Sequence, residues 1–322
     1  MIAALVLLAA LAEWRDPSPH KVQMVAVEDG VDLEVLDWGG RGRALVLLAG
    51  SGNTAHVFDE FAPKLTGFAH VYAITRRGYG ASSRPPTGYD DQRLADDVLA
   101  VLRTLRIESP VLAGHSMAGG ELTTLGVQHS ERLSGLVYLD ALGDPRDWPG
   151  SDPAYIELFR RLPAEMRGPA GGPNETPLTL EAYRARQVKN EGFAFPESEL
   201  RNIRTINEDG TMGAFRAPRW VHQASGDGQK KRDYRGIRVP VLALMEMPGG
   251  KSKYEPKNDE ERAATEAFNR ATAAYVERWI ANLKIGVPDA RVVDLPGAGH
   301  YVFLTREPAV LNEIKGFVVS LR

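Results

Sequence analysis

Apolar residues along the chain fall into two rhythms, short unbroken runs and longer stretches at helical spacing. Val22 to Val27 and Val31 to Trp38 are β-rich runs separated by Glu28, Asp29 and Gly30. The second alternates, with Val31, Leu33 and Val35 on one face and Asp32 and Glu34 on the other, so the two predict an antiparallel pair at a sheet edge. Ala44 to Leu48, His70 to Ile74, Val111 to Ala113, Leu133 to Leu139, Val239 to Met245 and Arg291 to Leu295 predict further strands, most of them with the continuous apolar pattern of strands covered on both faces. Between them Asp91 to Leu105, Met117 to His129, Asp259 to Leu283 and Glu307 to Leu321 predict helices.

Strand and helix therefore alternate as in a doubly wound parallel α/β sheet. The rhythm breaks once. From Gly143 to about Ile237 there is no buried-strand run, only Pro-rich and Gly-rich links (Pro163, Pro169 to Pro173) and amphipathic stretches such as Pro153 to Arg161 and Leu178 to Val188. Such an insertion predicts a mostly helical cap, residues 143–237, on a core made of residues 21–142 and 238–322.

Composition narrows the classes. The chain has 322 residues, ample for a large core, and a net charge of −3 offers no field for nucleic acid or an anionic membrane. Cysteine is absent, which excludes disulfides, thiolate nucleophiles and cysteine metal sites. Met1 to Ala12 is apolar and too short to span a bilayer; with the polar, proline-punctuated Glu13 to His20 it reads as an export signal and linker over residues 1–20. The expectation is a periplasmic or secreted chain without stable membrane insertion, the alternative a cytoplasmic one with an apolar helix docked on the domain.

The chemistry centres on Val111 to Gly119, Val-Leu-Ala-Gly-His-Ser-Met-Ala-Gly. A strand, a cramped turn of small residues and a helix expose Ser116 at the apex and put the N–H of Met117 at a helix start, where developing negative charge is favoured. A serine hydroxyl needs an imidazole to take its proton. Of seven histidines, His300 follows the last strand in Gly297, Ala298, Gly299, His300, a loop able to return it to Ser116. His115 must point away from the serine and reads as packing; His20, His56, His70, His129 and His222 lack a strand-end setting. The imidazole needs a carboxylate. Asp140 ends its strand at the same sheet edge as Ser116, Glu246 is the alternative acid, and Asp144 a more distant one.

On these residues the chain resembles the α/β-hydrolase superfamily, here from about Val22 onward. The likeness rests on the nucleophile elbow Gly114 to Gly119, the loop Gly50 to Asn53 after the third strand, the loop Arg77 to Ser82 after the fourth, and Gly299 with His300. It implies the order Ser116, Asp140, His300 and a second oxyanion donor at the N–H of Ser51 beside Met117. Three departures stand out. Ala49 replaces a common histidine, Ala118 replaces the second elbow glycine, and Met247 to Gly250 has no carboxylate at the usual offset for the acid, which favours Asp140 after the sixth strand.

Serine with histidine implies an acyl-enzyme, so the expected function is hydrolysis of a carboxylic ester of a small or medium-sized, partly apolar substrate. Aromatics between Trp148 and Trp220, with Trp148, Phe159 and Trp220 foremost, are the expected substrate contacts. Alternatives on the same three residues are a proline-iminopeptidase-like aminopeptidase using Glu157, Glu165, Glu181 or Glu191, a lactonase, a C–C bond hydrolase, and, outside enzymes, a catalytically silent binding protein of the same fold. No metal cluster, phosphate loop or cofactor motif is legible, and none is predicted.

Overall fold

The computed structural model describes residues 14–164, 166–167, 177–248 and 255–321. The apolar stretch Met1 to Ala12 read as an export signal lies outside them, as do Glu165 and the Pro169 to Pro173 link. In chain order the first half comprises β1 (Lys21–Glu28), β2 (Val31–Gly40), β3 (Ala44–Leu48), β4 (His70–Ile74), α1 (Asp91–Thr104), β5 (Val111–His115), α2 (Gly119–His129) and β6 (Gly135–Leu139). Then come α3 (Pro153–Arg161), α4 (Leu180–Glu191), α5 (Glu197–Ile203), the short strands β7 (Arg204–Ile206) and β8 (Met212–Phe215), and α6 (Arg219–Asp227). The chain returns with β9 (Val241–Met247), α7 (Asp259–Gly286), β10 (Arg291–Pro296), α8 (Val302–Thr305) and α9 (Glu307–Ser320).

Eight strands form one sheet in the order β1-β2-β4-β3-β5-β6-β9-β10. β1 pairs with β2 and β2 with β4 antiparallel; every other neighbour is parallel. The inner strands bury both faces. Leu45, Leu47, Val111, Ala113, Val137, Leu139, Leu242 and Leu244 point to one side, where Val310, Ile314 and Phe317 of α9 cover them. The alternate residues Val46, Leu48, Leu112, Leu136, Tyr138, Val241 and Ala243 meet α1, α2 and α7 on the other. This is why the runs are continuous rather than alternating, with each fully buried Val or Leu contributing about 1.5–3 kcal/mol.

Helix starts follow local chemistry. The carboxylate of Asp90 accepts from the N–H groups of Gln92 and Arg93 to cap α1, and Asn258 caps α7 ahead of three acidic residues. The stretch expected to be mostly helical also carries two short strands. It holds an antiparallel hairpin, with Arg204 opposite Phe215 and Ile206 opposite Met212. Strands of three and four residues leave too little alternation to register against a helical background.

Candidate active site

Register places the chemistry. His115, the last residue of β5, pairs with Leu139, the last of β6, so Ser116 and Asp140 leave the sheet side by side. Both sit at positive φ, +56° and +48°, a region L residues seldom adopt, at about 1–3 kcal/mol each. Packing fixes this turn. A Cβ on Gly119 would lie 1.9 Å from the carbonyl oxygen of Ala141, so only glycine lets α2 start this close to the end of β6. The hydroxyl of Ser116 is thereby held on the rim and Met117 in the turn that leads into α2.

His300 comes from the loop between β10 and α8. Its Nδ1–H donates to Asp140 Oδ2 at 2.7 Å, which leaves Nε2 as the acceptor for the Ser116 hydroxyl, also at 2.7 Å. The three residues expected to meet are thus in one hydrogen-bonded line. The second oxygen of Asp140 accepts the backbone N–H of Glu246 at 3.2 Å. Glu246 is not the partner of His300; it lies beside Asp140 facing the cavity, and burial together with the negative charge of Asp140 pushes its carboxyl up to about 7. Asp144 instead accepts from the N–H groups of Arg146 and Arg232.

The glycine-rich loop after β3 closes on the serine. A Cβ on Gly50 would fall 2.8 Å from His115 Nδ1 and 3.1 Å from Ser116 Cβ, so glycine is required for the backbone to come this near. Arg76, buried, braces the loop: its guanidinium donates to the carbonyls of Ala49 at 2.9 Å and Gly50 at 3.3 Å, and to Glu121 of α2 at 2.6 Å. From the far side Glu199 accepts from Asn53 Nδ2 at 2.8 Å and from the N–H and hydroxyl of Thr54, while Asn53 Oδ1 accepts the hydroxyl of Tyr301 at 3.0 Å. Burial pushes the Glu199 carboxyl up to about 7 against these donors. Arg76 and Glu199 went unread because each lies more than two dozen residues from the loop it supports, and Glu121, five residues after Ser116, because its partner Arg76 is forty-five residues away.

Ser51, Ser116, Met117, Asp140, Glu246 and His300 all line one cavity of about 830 Å³. Its walls are apolar: Trp148, Tyr155 and Phe159 from the segment after β6, and Phe268, Val276 and Trp279 from α7. The indoles of Trp148 and Trp279 lie nearly parallel, 6.1 Å apart. Trp220, expected among the substrate contacts, is not there. It packs edge-on against Tyr89 on α6, whose inward face carries Val221 and Ser225 into the core. Phe193 and Phe195 likewise pack on Tyr301, and Glu157, Glu181 and Glu191 do not line the cavity. α7, predicted only as a helix, supplies Phe268, Val276 and Trp279 to this wall. None of the described helices is long and apolar enough to cross a membrane.

Comparison with known proteins agrees with this architecture. A family model described as "Alpha/beta hydrolase family" matches residues 45–314. A 2-(acetamidomethylene)succinate hydrolase of Mesorhizobium japonicum is 25% identical over 280 residues, 87% of this chain and 89% of that protein. An N-formylmaleamate deformylase of Pseudomonas putida is 30% identical over 144 residues, 44% of this chain and 54% of its own length. Among solved structures, an E-2-(acetamidomethylene)succinate hydrolase superimposes with a TM-score of 0.67 at 21% identity, over 94% of this chain and all of that one. With the family model spanning the sheet from β3 to α9, the chain belongs to the alpha/beta hydrolase family and is a hydrolase.

Proposed function

We propose that this hydrolase cleaves a carboxylic ester of a small or medium-sized, partly apolar substrate through an acyl-enzyme on Ser116. The observation that carries the reading is the pair of 2.7 Å hydrogen bonds by which His300 joins Ser116 to Asp140. In this mechanism the Ser116 hydroxyl gives its proton to His300 Nε2 as its oxygen attacks the ester carbonyl. The N–H groups of Ser51 and Met117 receive the developing oxyanion, and Asp140 stabilises the imidazolium. His300 then protonates the departing alcohol and later activates the water that frees the acid.

The cavity's chemistry supports an uncharged substrate. Arg232 is the one Lys or Arg among its described lining residues, and its guanidinium already donates to Asp91 at 3.1 Å and Gln229 at 3.1 Å. Asp140 and Glu246 line the same cavity. Aromatic walls favour an apolar acyl or alcohol group. The second reading is an acyl amide, favoured by the names of the Mesorhizobium and Pseudomonas relatives.

The test compares wild type with Ser116→Ala on p-nitrophenyl acetate and butyrate, alongside matched anilides, lactones and aminoacyl amides. Ester turnover that disappears in the variant, with a fluorophosphonate adduct mapped to Ser116, is the expected result. Equal turnover by both proteins removes the serine from the chemistry. No turnover on any substrate and no adduct moves the chain to the binding proteins of this fold.

A further inference from the structure

On the far side of the loop after β3, four residues scattered over the first sixty converge. Asp16 and His20 lie in the extended stretch ahead of β1, His56 and Asp59 in and after the 3-10 turn Ala55–Phe58. One donor atom from each lies within 4.8 Å of the other three. The side chains of His20 and Asp59 are only 3% exposed.

We propose that Asp16, His20, His56 and Asp59 form a binding site for a divalent transition metal of the zinc class, which fastens residues 14–20 to the loop that carries Ser51 and Asn53.

Three observations support it. The first is geometry. The atoms stand 2.8 Å (His56 Nδ1 to Asp59 Oδ2), 3.1 Å (His56 Nδ1 to Asp16 Oδ2), 3.1 Å (His20 Nδ1 to Asp59 Oδ1) and 3.8 Å (His20 Nε2 to Asp16 Oδ2) apart. These pairs use both ring nitrogens of His20 and both oxygens of Asp59. With one donor from each residue all four lie within 4.8 Å of one another. The roughly 3.3 Å between ligands of a tetrahedral shell with metal bonds of about 2.0–2.1 Å asks the side chains to draw in slightly.

The second is unmet polar demand. Asp16 Oδ2, His20 Nδ1 and Asp59 Oδ1 are buried without a hydrogen-bond partner among the described residues. His20 Nδ1 and Asp59 Oδ1 stand 3.1 Å apart, an ion pair only when His20 is protonated. Two carboxylates crowd the single Nδ1 of His56, which has at most one proton to give. Groups buried in this state are destabilising unless something answers them, and a cation can answer all three together.

The third is charge. Asp16 and Asp59 bring two negative charges, and Glu34, 3.5 Å from His56 Nε2, brings a third. No Lys or Arg pairs with any of them among the described residues. With two neutral imidazoles a divalent ion offsets two of these three negative charges, and two nitrogens with two oxygens suit zinc better than calcium or magnesium. Outer contacts of the kind that orient ligands are present: Ser198 of α5 donates to Asp59 Oδ2, and Ser18 donates to the Asp59 carbonyl at 3.1 Å. None of the four residues lines the cavity beside Ser116, so the ion's role is structural.

The experiment uses the untagged full chain, purified without chelator, stripped with EDTA and titrated with zinc chloride. Expected are about one zinc per chain by elemental analysis and a rise in Tm of roughly 5 °C or more on zinc addition to the stripped protein. His20→Gln and Asp16→Asn, in the docked segment and outside the sheet, lose both effects while remaining folded; His56→Gln does so as well if it folds. His70→Gln, which lies outside the cluster, keeps both. Stripped wild type that takes up no zinc and shows an unchanged Tm overturns the proposal and leaves an ion-pair network. Zinc uptake that persists in His20→Gln and Asp16→Asn overturns it too, since the metal is then held elsewhere.

Discussion

The Nε2–H of His115 donates to the backbone carbonyl of His300 at 3.0 Å, so the residue before Ser116 holds the backbone of the histidine that contacts Ser116. The His115 ring is buried, 4.6 Å from that of His300, and burial keeps it neutral, well below the usual histidine range, with the charge on His300 acting in the same direction. Replacing it with Phe preserves the packing and removes the bond. His115→Phe is expected to lower kcat about tenfold or more with little change in KM, because a freed carbonyl lets the imidazole wander from its 2.7 Å contact with Ser116. Steady-state kinetics on one ester checks this; a KM effect with unchanged kcat makes the contact mere packing.

Asp140 and Glu246 give a cleaner contrast, since both are carboxylates at one rim and only one meets His300. Asp140→Asn presents an amide to Nδ1, disturbs the tautomer and is expected to reduce kcat by about 10⁴. Glu246→Gln keeps the backbone N–H that serves Asp140 and should stay within about tenfold of wild type. The reverse ranking would make Glu246 the acid.

The same glutamate makes a pH prediction. Its carboxyl is raised from 4.5 to about 7 by burial first and the charge of Asp140 second. Below pH 4.5 folded and unfolded chains both hold it protonated, and it adds no penalty. Between 4.5 and 7 the unfolded chain ionises first, so the folded state loses stability as pH rises; above 7 the loss is constant, on the order of 3 kcal/mol. Glu246→Gln should therefore melt several degrees above wild type at pH 8 and no higher at pH 4.5. Melting curves at the two pH values test it, and an equal gap at both removes the ionisation from the explanation.

Much of this was legible because strand ends are local events. The run into Ser116, the run into Asp140 and the glycines before His300 each announce a strand that delivers one residue to a rim, and parallel register does the rest. What escaped reading is assembled across distance. Arg76 reaches Glu121 forty-five residues on, Glu199 reaches Asn53 across one hundred and forty-six, and Asp16 comes near Asp59 across forty-three. Trp220 was misassigned for the complementary reason. An aromatic on an amphipathic helix has the same pattern whether it faces a cavity or Tyr89.

That difference can be measured. Phe159 and Trp148 wall the cavity and Trp220 does not. Phe159→Ala is expected to raise KM for p-nitrophenyl hexanoate about tenfold while changing acetate little, because removing apolar contact area costs about 1–3 kcal/mol only for substrates long enough to use it. Trp220→Ala should leave both esters unchanged. A chain-length effect in Trp220→Ala would place the acyl group along α6 rather than against the wall that holds Phe159.

Arg76 separates positioning from stability. Its guanidinium is buried against Glu121 while also donating to the carbonyls of Ala49 and Gly50, so one side chain ties the loop ending at Ser51 to the helix that follows Ser116. Arg76→Met leaves the carboxylate of Glu121 buried and unpaired, a loss of about 3–5 kcal/mol, and the variant should melt well below wild type. Adding Glu121→Leu removes the stranded charge and should restore most of the melting temperature. It cannot restore the two donors on the loop. The double variant is therefore expected to be nearly as stable as wild type and still at least tenfold slower in kcat, because the Ser51 N–H is no longer fixed where the oxyanion forms. Full recovery of rate along with stability would show that the arginine supports the fold alone.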